Sequence, residues 1–153
     1  MRTGFRWTVL CVGLSASLGV AASCSYSEGH AISATFAADM ERSGGYTTEM
    51  REGQDRAYTA WDAELNRLYG ALLERMKRES DRTALRKAQR AWLAFDKAER
   101  EWDWSDAMHG QEGTAGPLNV AGAALQRLIQ RVCDLHGALD WFEVSPGIDG
   151  DEH

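Results

Sequence analysis

The chain has 153 residues, 44% hydrophobic and 26% charged, with two prolines and a formal net charge of −6. These figures describe one globular domain with apolar surface enough for a single core, and they exclude a disordered or linker-rich chain. The acidic balance also argues against nucleic acid as a partner, because affinity there is built from basic groups that neutralise phosphates.

Arg2 and Arg6 give a basic start, and the stretch Trp7 to Ala22 continues it without an acidic residue. The pattern predicts a secretory signal over residues 1–23. The run is shorter than the roughly 20 apolar residues that a membrane span needs, and Gly13 and Gly19 interrupt it. Ala21, Ala22 and Ser23 suit a signal peptidase, and with Cys24 they also resemble a lipobox, although Ala21 stands where leucine is commonest. The segment carries two arginines and no acid, so residues 24–153 have 15 basic against 23 acidic side chains, net −8. Such a surface attracts a basic protein. Export leaves Cys24 and Cys133 in an oxidising compartment. Two alternatives stay open there: lipid on Cys24 with Cys133 buried as a small apolar residue, or a bridge tying the mature amino terminus to the last helix.

In the N-terminal segment 24–47, Ile32, Phe36 and Met40 at helical spacing predict a short helix that Ser43, Gly44 and Gly45 end. The main domain, 48–143, opens with a long helix over about Thr48 to Arg78. Its stripe is Tyr58, Trp61, Leu65, Leu68, Leu72 and Met76, all on one face. Thr47 or Thr48 is the expected cap, and Gly53 is expected to weaken the first turns. A second helix, capped by Ser80 or Asp81 and ending near Asp106, carries Leu85, Ala88, Trp92, Phe95, Glu99 and Trp102 at the same spacing. Glu99 is the polar exception on that face, expected at the rim beside an arginine. The segment His109 to Gly116 reads as a loop and Pro117 as a first-turn residue. A third helix comes next, with Leu118, Ala121, Leu125, Leu128, Val132, Leu135, Leu139 and Phe142. An acidic tail, 144–153, closes the chain. No segment alternates as a strand would. The expected fold is all-α: a small antiparallel bundle of three main amphipathic helices, with a short N-terminal helix beside it.

The four histidines are scattered without a pair four apart, so no metal site is expected. Cys133 and His136 sit three apart but lack further ligands in the sequence. No nucleophile elbow, phosphate loop or catalytic-thiol signature is present, so neither an enzyme nor a cofactor is expected. The run Trp102 to Asp106 is the most unusual one. Trp104 lies off the core stripe between two acids, which makes Trp104, Asp103 and Asp106 a candidate exposed binding patch. The competing reading has Trp104 close the end of the bundle.

Two segments, Tyr58 to Tyr69 (YTAWDAELNRLY) and Leu85 to Glu99 (LRKAQRAWLAFDKAE), carry a family resemblance. Together they resemble the LprI-like lysozyme-inhibitor family, whose pattern is a D-x-E-L-N-x-x-Y helix followed by a Q-R-A-W-x-x-F-R-D-A-E helix. The matching residues are Asp62, Glu64, Leu65, Asn66 and Tyr69, then Gln89, Arg90, Trp92, Phe95, Ala98 and Glu99. Leu65, Trp92 and Phe95 fall on the core stripes, whereas Asn66, Gln89 and Arg90 are free to cross-link the two helices or face a partner. Gly53 and Arg100 stand where the family commonly has cysteines. The resemblance implies an exported binding protein that contacts a basic lysozyme-type muramidase and needs no cofactor. The alternative is an envelope scaffold or accessory module that binds a bacterial protein or peptidoglycan.

Overall fold

A computed structural model describes residues 24–144. The expected signal, 1–23, and residues 145–153 of the expected tail lie outside the described residues. Among the described residues five helices occur in order: α1 (Ser25–Glu28), α2 (Ala31–Arg42), α3 (Thr47–Arg75), α4 (Glu79–Asp103) and α5 (Gly116–Val144). The all-α expectation holds. No helix among the described residues is long and apolar enough to cross a membrane.

The single N-terminal helix expected from the sequence is two, because Gly29 ends α1 and the His30 side chain caps α2, accepting from the Ile32 amide at 3.2 Å. Of the two fates open to Cys24, the structure carries the bridge to Cys133, with the Cα atoms 6.0 Å apart. That sulfur is the atom a lipid would occupy. Tyr26 stacks on His136 of α5, the ring centroids 3.8 Å apart. Gly44 and Gly45 turn the chain into α3 with φ of +58° and +84°, a region that costs glycine nothing. Gly53 does not loosen α3 as expected. It is buried, and a β-carbon there would lie 2.5 Å from Met40 Cε and 3.2 Å from Asp39 Cβ, so the missing side chain lets α2 approach.

The core is a seam between α3 and α5. Trp61, Leu65, Leu68 and Leu72 meet Leu125, Leu128, Val132 and Leu135, and all eight are almost fully buried. The two helices run in the same direction, since Gln54 near the start of α3 donates to the Leu118 carbonyl at 3.1 Å while Arg75 at its end pairs with Glu143. α4 runs back in the opposite direction and packs on α5. The helix starts differ from expectation: Tyr46 and Arg78 hold the N-cap positions of α3 and α4 without a capping side-chain hydrogen bond, and Arg78 grips Asp81 of the first turn at 2.8 Å.

α4 departs most from the sequence reading. Its buried residues are Gln89, Asp96 and Asp103, whereas Phe95 and Trp102, expected in the core, are each 51% exposed. Leu85 and Trp92 pack in part against the core. The helix is therefore rotated so that a polar strip faces α5. Glu99 is half-buried, and its neighbour Arg100 pairs with Asp96 instead of with it.

The disulfide spans 109 residues of sequence, so it constrains a large share of the unfolded chain. Replacing both cysteines by serine is expected to lower the unfolding free energy by about 2–4 kcal/mol. Urea titration of the oxidised protein and of the double variant, followed by circular dichroism, measures the difference.

Candidate functional site

The two family-like motifs converge on one groove. Asp62, Leu65, Asn66 and Tyr69 of α3 and Arg86, Gln89, Arg90 and Leu93 of α4 line an open space of about 360 Å³. Successive side chains at 62, 65, 66 and 69 share a face of α3, and 86, 89, 90 and 93 share a face of α4, since helical neighbours recur three and four residues apart. Leu65 is buried at the floor, whereas Asp62, Asn66, Arg90 and Leu93 are exposed. Asn66 was open to two roles, cross-linking the helices or facing a partner, and its hydrogen bonds stay within α3. Its amide donates to the Asp62 carbonyl at 2.8 Å and to the Asp62 carboxylate at 3.1 Å, which fixes both groups on the α3 wall. Opposite them Arg86 is held by Glu79 at 2.6 Å, while Arg90 projects into solvent. A carboxylate on one wall, guanidinium groups on the other and an apolar floor can seat a partner's side chain by charge and hydrogen bonding.

The groove exists because of what lies behind it. Gln89 faces inward and accepts from Arg131 of α5 at 3.0 Å. Arg127 of α5 reaches Asp96 at 3.2 Å and Asp103 at 2.8 Å. Arg100 closes the set, donating to Asp96 at 2.9 Å and to the Tyr58 hydroxyl, with its guanidinium 4.8 Å from the centre of the Tyr58 ring. Burial disfavours the charge on Arg100, but Asp96 and Tyr58 outweigh it and raise the pKa. Gln89 thus links α4 to α5, not to α3.

Glu64, the remaining polar member of the first motif, turns away from the groove. It accepts from the Tyr26 hydroxyl and from Arg67 at 2.6 and 2.8 Å, tying α1 to α3. The hydrogen bonds from Arg67 hold its carboxyl below the usual range against the opposing effect of burial, and Tyr26 adds to them. Burial, then the carboxylate beside it, raises the Tyr26 hydroxyl.

The other candidate patch divides. Asp103, expected to be exposed, is 5% exposed and spent on Arg127, whereas Trp104 is 52% exposed as the last cap of α4 and Asp106 is exposed beyond it. Cys133 is bonded to Cys24 and His136 pairs with Asp140 at 3.2 Å. Among the described residues no group of three or more His, Cys, Asp or Glu is placed to hold a metal ion. Sequence reasoning missed Arg127 and Arg131. Their signal was two arginines four apart inside the most apolar helix, at a spacing that reaches Gln89, Asp96 and Asp103 together.

The family model "Lysozyme inhibitor LprI" matches residues 38–135, which contain α3, α4 and most of α5. No curated protein and no solved structure matches the chain.

Two outcomes test this arrangement. Arg127→Met leaves the buried Asp103 without its cation and should destabilise the protein by about 3–5 kcal/mol, and adding Asp103→Leu should recover much of that loss. A Glu64 carboxyl depressed in the folded state stabilises the protein above its unfolded pKa of about 4.3, and this contribution is lost as pH falls through the lower folded value. Glu64→Gln should therefore cost about 1 kcal/mol at pH 7 and flatten the loss of stability on acidification below about pH 5. Urea midpoints measured across pH for both proteins give the comparison.

Proposed function

The chain belongs to the lysozyme inhibitor LprI family, and we propose that it is an exported envelope protein that inhibits a basic lysozyme-type muramidase by stoichiometric contact through the α3–α4 groove. The observation that carries this reading is the convergence of residues from both motifs on one accessible surface, with the bundle's structural charges segregated behind it. Binding, not turnover, is the chemistry proposed for the groove. Muramidases of the retaining type work with two carboxyl groups about 5 Å apart. Arg90 is the exposed cation that fits such a pair, since guanidinium and carboxylate form strong, directional hydrogen bonds. Around it the acidic excess of the chain, 23 acids against 17 basic residues overall, would draw in a basic enzyme and make the encounter salt-dependent.

Trp104, the C-cap of α4, stands about 20 Å along the helix from Arg90 at 1.5 Å per residue and Asp106 lies beyond it, which makes them a separable surface. A lysozyme turbidity assay should show inhibition that saturates at a fixed stoichiometry and weakens as salt is raised. Arg90→Ala should raise the inhibition constant about tenfold or more, and Trp104→Ala should leave it within about twofold. Loss of inhibition in Trp104→Ala alone would move the contact to the end of α4. A folded protein without effect on any lysozyme would favour an envelope accessory role.

A further inference from the structure

We infer that the outward face of α4 is a self-association surface, on which a second copy of this chain packs antiparallel. This goes beyond the inhibition reading and does not depend on it. Phe95 and Trp102 are each 51% exposed, and Ala84, Ala88, Ala91 and Ala98 on the same face are exposed as well. These six positions are separated by alternating steps of four and three residues, the spacing of the a and d positions of a coiled-coil seam. At 1.5 Å per residue the stripe is about 27 Å long. A surface helix of a bundle ordinarily turns such a seam inward. Here the ion pairs with Arg127 commit the neighbouring strip of α4, about 100° round the helix, to the bundle and leave the seam to solvent.

The pattern selects its occupant. In an antiparallel pair, a positions of one helix pack beside d positions of the other, so placing Phe95 against the partner's Ala91 sets Trp102 against the partner's Ala84 and Ala88 against the partner's Ala98. Each bulky side chain then meets an alanine, which is the alternation a close-packed layer needs. A parallel pair would stack Trp102 on itself at one end and leave alanine on alanine at the other. Charge agrees with size. Lys87 and Glu101, both exposed, flank the seam on the same side, and the same antiparallel register brings Lys87 beside the partner's Glu101 twice over. Opposite charges at these flanking positions set partner choice and orientation.

Sedimentation velocity on the protein secreted from an expression host with its disulfide formed, over about 1 μM to 1 mM, provides the test. So short a seam predicts a reversible dimer with a dissociation constant on the order of 10 μM. Phe95→Glu should weaken it at least about tenfold with the helical circular dichroism unchanged, since Phe95 is half exposed and is not among the side chains packed on the core. Lys87→Glu and Glu101→Lys each create two like-charge contacts, and each should weaken association about three- to tenfold at low salt. An equimolar mixture of the two variants pairs opposite charges again and should associate as tightly as the parent. A folded protein that stays monomeric up to 1 mM overturns the inference. So does a dimer unaffected by Phe95→Glu, or a mixture of the charge variants that associates no better than either alone. Protection of Trp102 fluorescence from quenching by lysozyme, with the protein monomeric throughout, would assign the face to the enzyme and overturn it equally.

Discussion

Arg127 sets the rotation of α4, and the rest of the surface depends on that setting. Its guanidinium sits between Asp96 and Asp103, about two turns apart on one strip of α4, and is itself largely buried. A buried cation between two carboxylates adds little net stability compared with an apolar contact of equal volume, because desolvating three charges offsets much of their attraction. It does make every other rotation of the helix costly, since each would leave at least one of these charges buried without a partner. With the strip turned inward, the second motif opens toward α3 as one wall of a groove, and Phe95 and Trp102 face water.

The α3–α5 core and the charged seam divide the labour between them. Trp61, Leu68, Leu72, Leu125, Leu128 and Val132 are the largest fully buried side chains, and all belong to α3 or α5. Stability from apolar burial is therefore concentrated in a parallel pair of helices, braced on one side by α2 and tied to α1 by the disulfide at Cys133, well inside α5. α4 adds Leu85 and Trp92 in part. The groove thus has one wall fixed by a hydrophobic core and the other by directional polar bonds, which preorganises the charges of Asp62 and Arg90 relative to each other.

The three long helices, their order and the two core stripes were readable from the sequence because Trp61 to Leu72 and Leu125 to Leu135 follow a single periodic pattern with no competing one. α4 was misread for a definite reason. It carries two periodic strips at once, an apolar one through Ala91, Phe95, Ala98 and Trp102 and a polar one through Gln89, Asp96, Arg100 and Asp103. Periodicity locates both strips and cannot rank them. The choice depends on Arg127 and Arg131, which lie on another helix, far from their partners Gln89, Asp96 and Asp103 in sequence, and become decisive only once α5 is placed. The same limit explains why Asp103 was assigned to an exposed patch. Gly53 was read as a weak point in α3 because propensity is local, whereas its use here, admitting Met40 and Asp39 of α2, is tertiary.

A helix mounted by polar contacts on a core it scarcely enters has an evolutionary consequence. Substitutions at its outward positions remove little buried apolar area, so most should change stability by no more than about 0.5 kcal/mol. A typical protein stands only a few kcal/mol above unfolding, and changes to its binding surfaces are often limited by that margin. Here the margin resides in α3 and α5. The outer face of α4 can drift across many sequences without threatening the fold, which makes recognition in this domain mutable on a scaffold that stays constant.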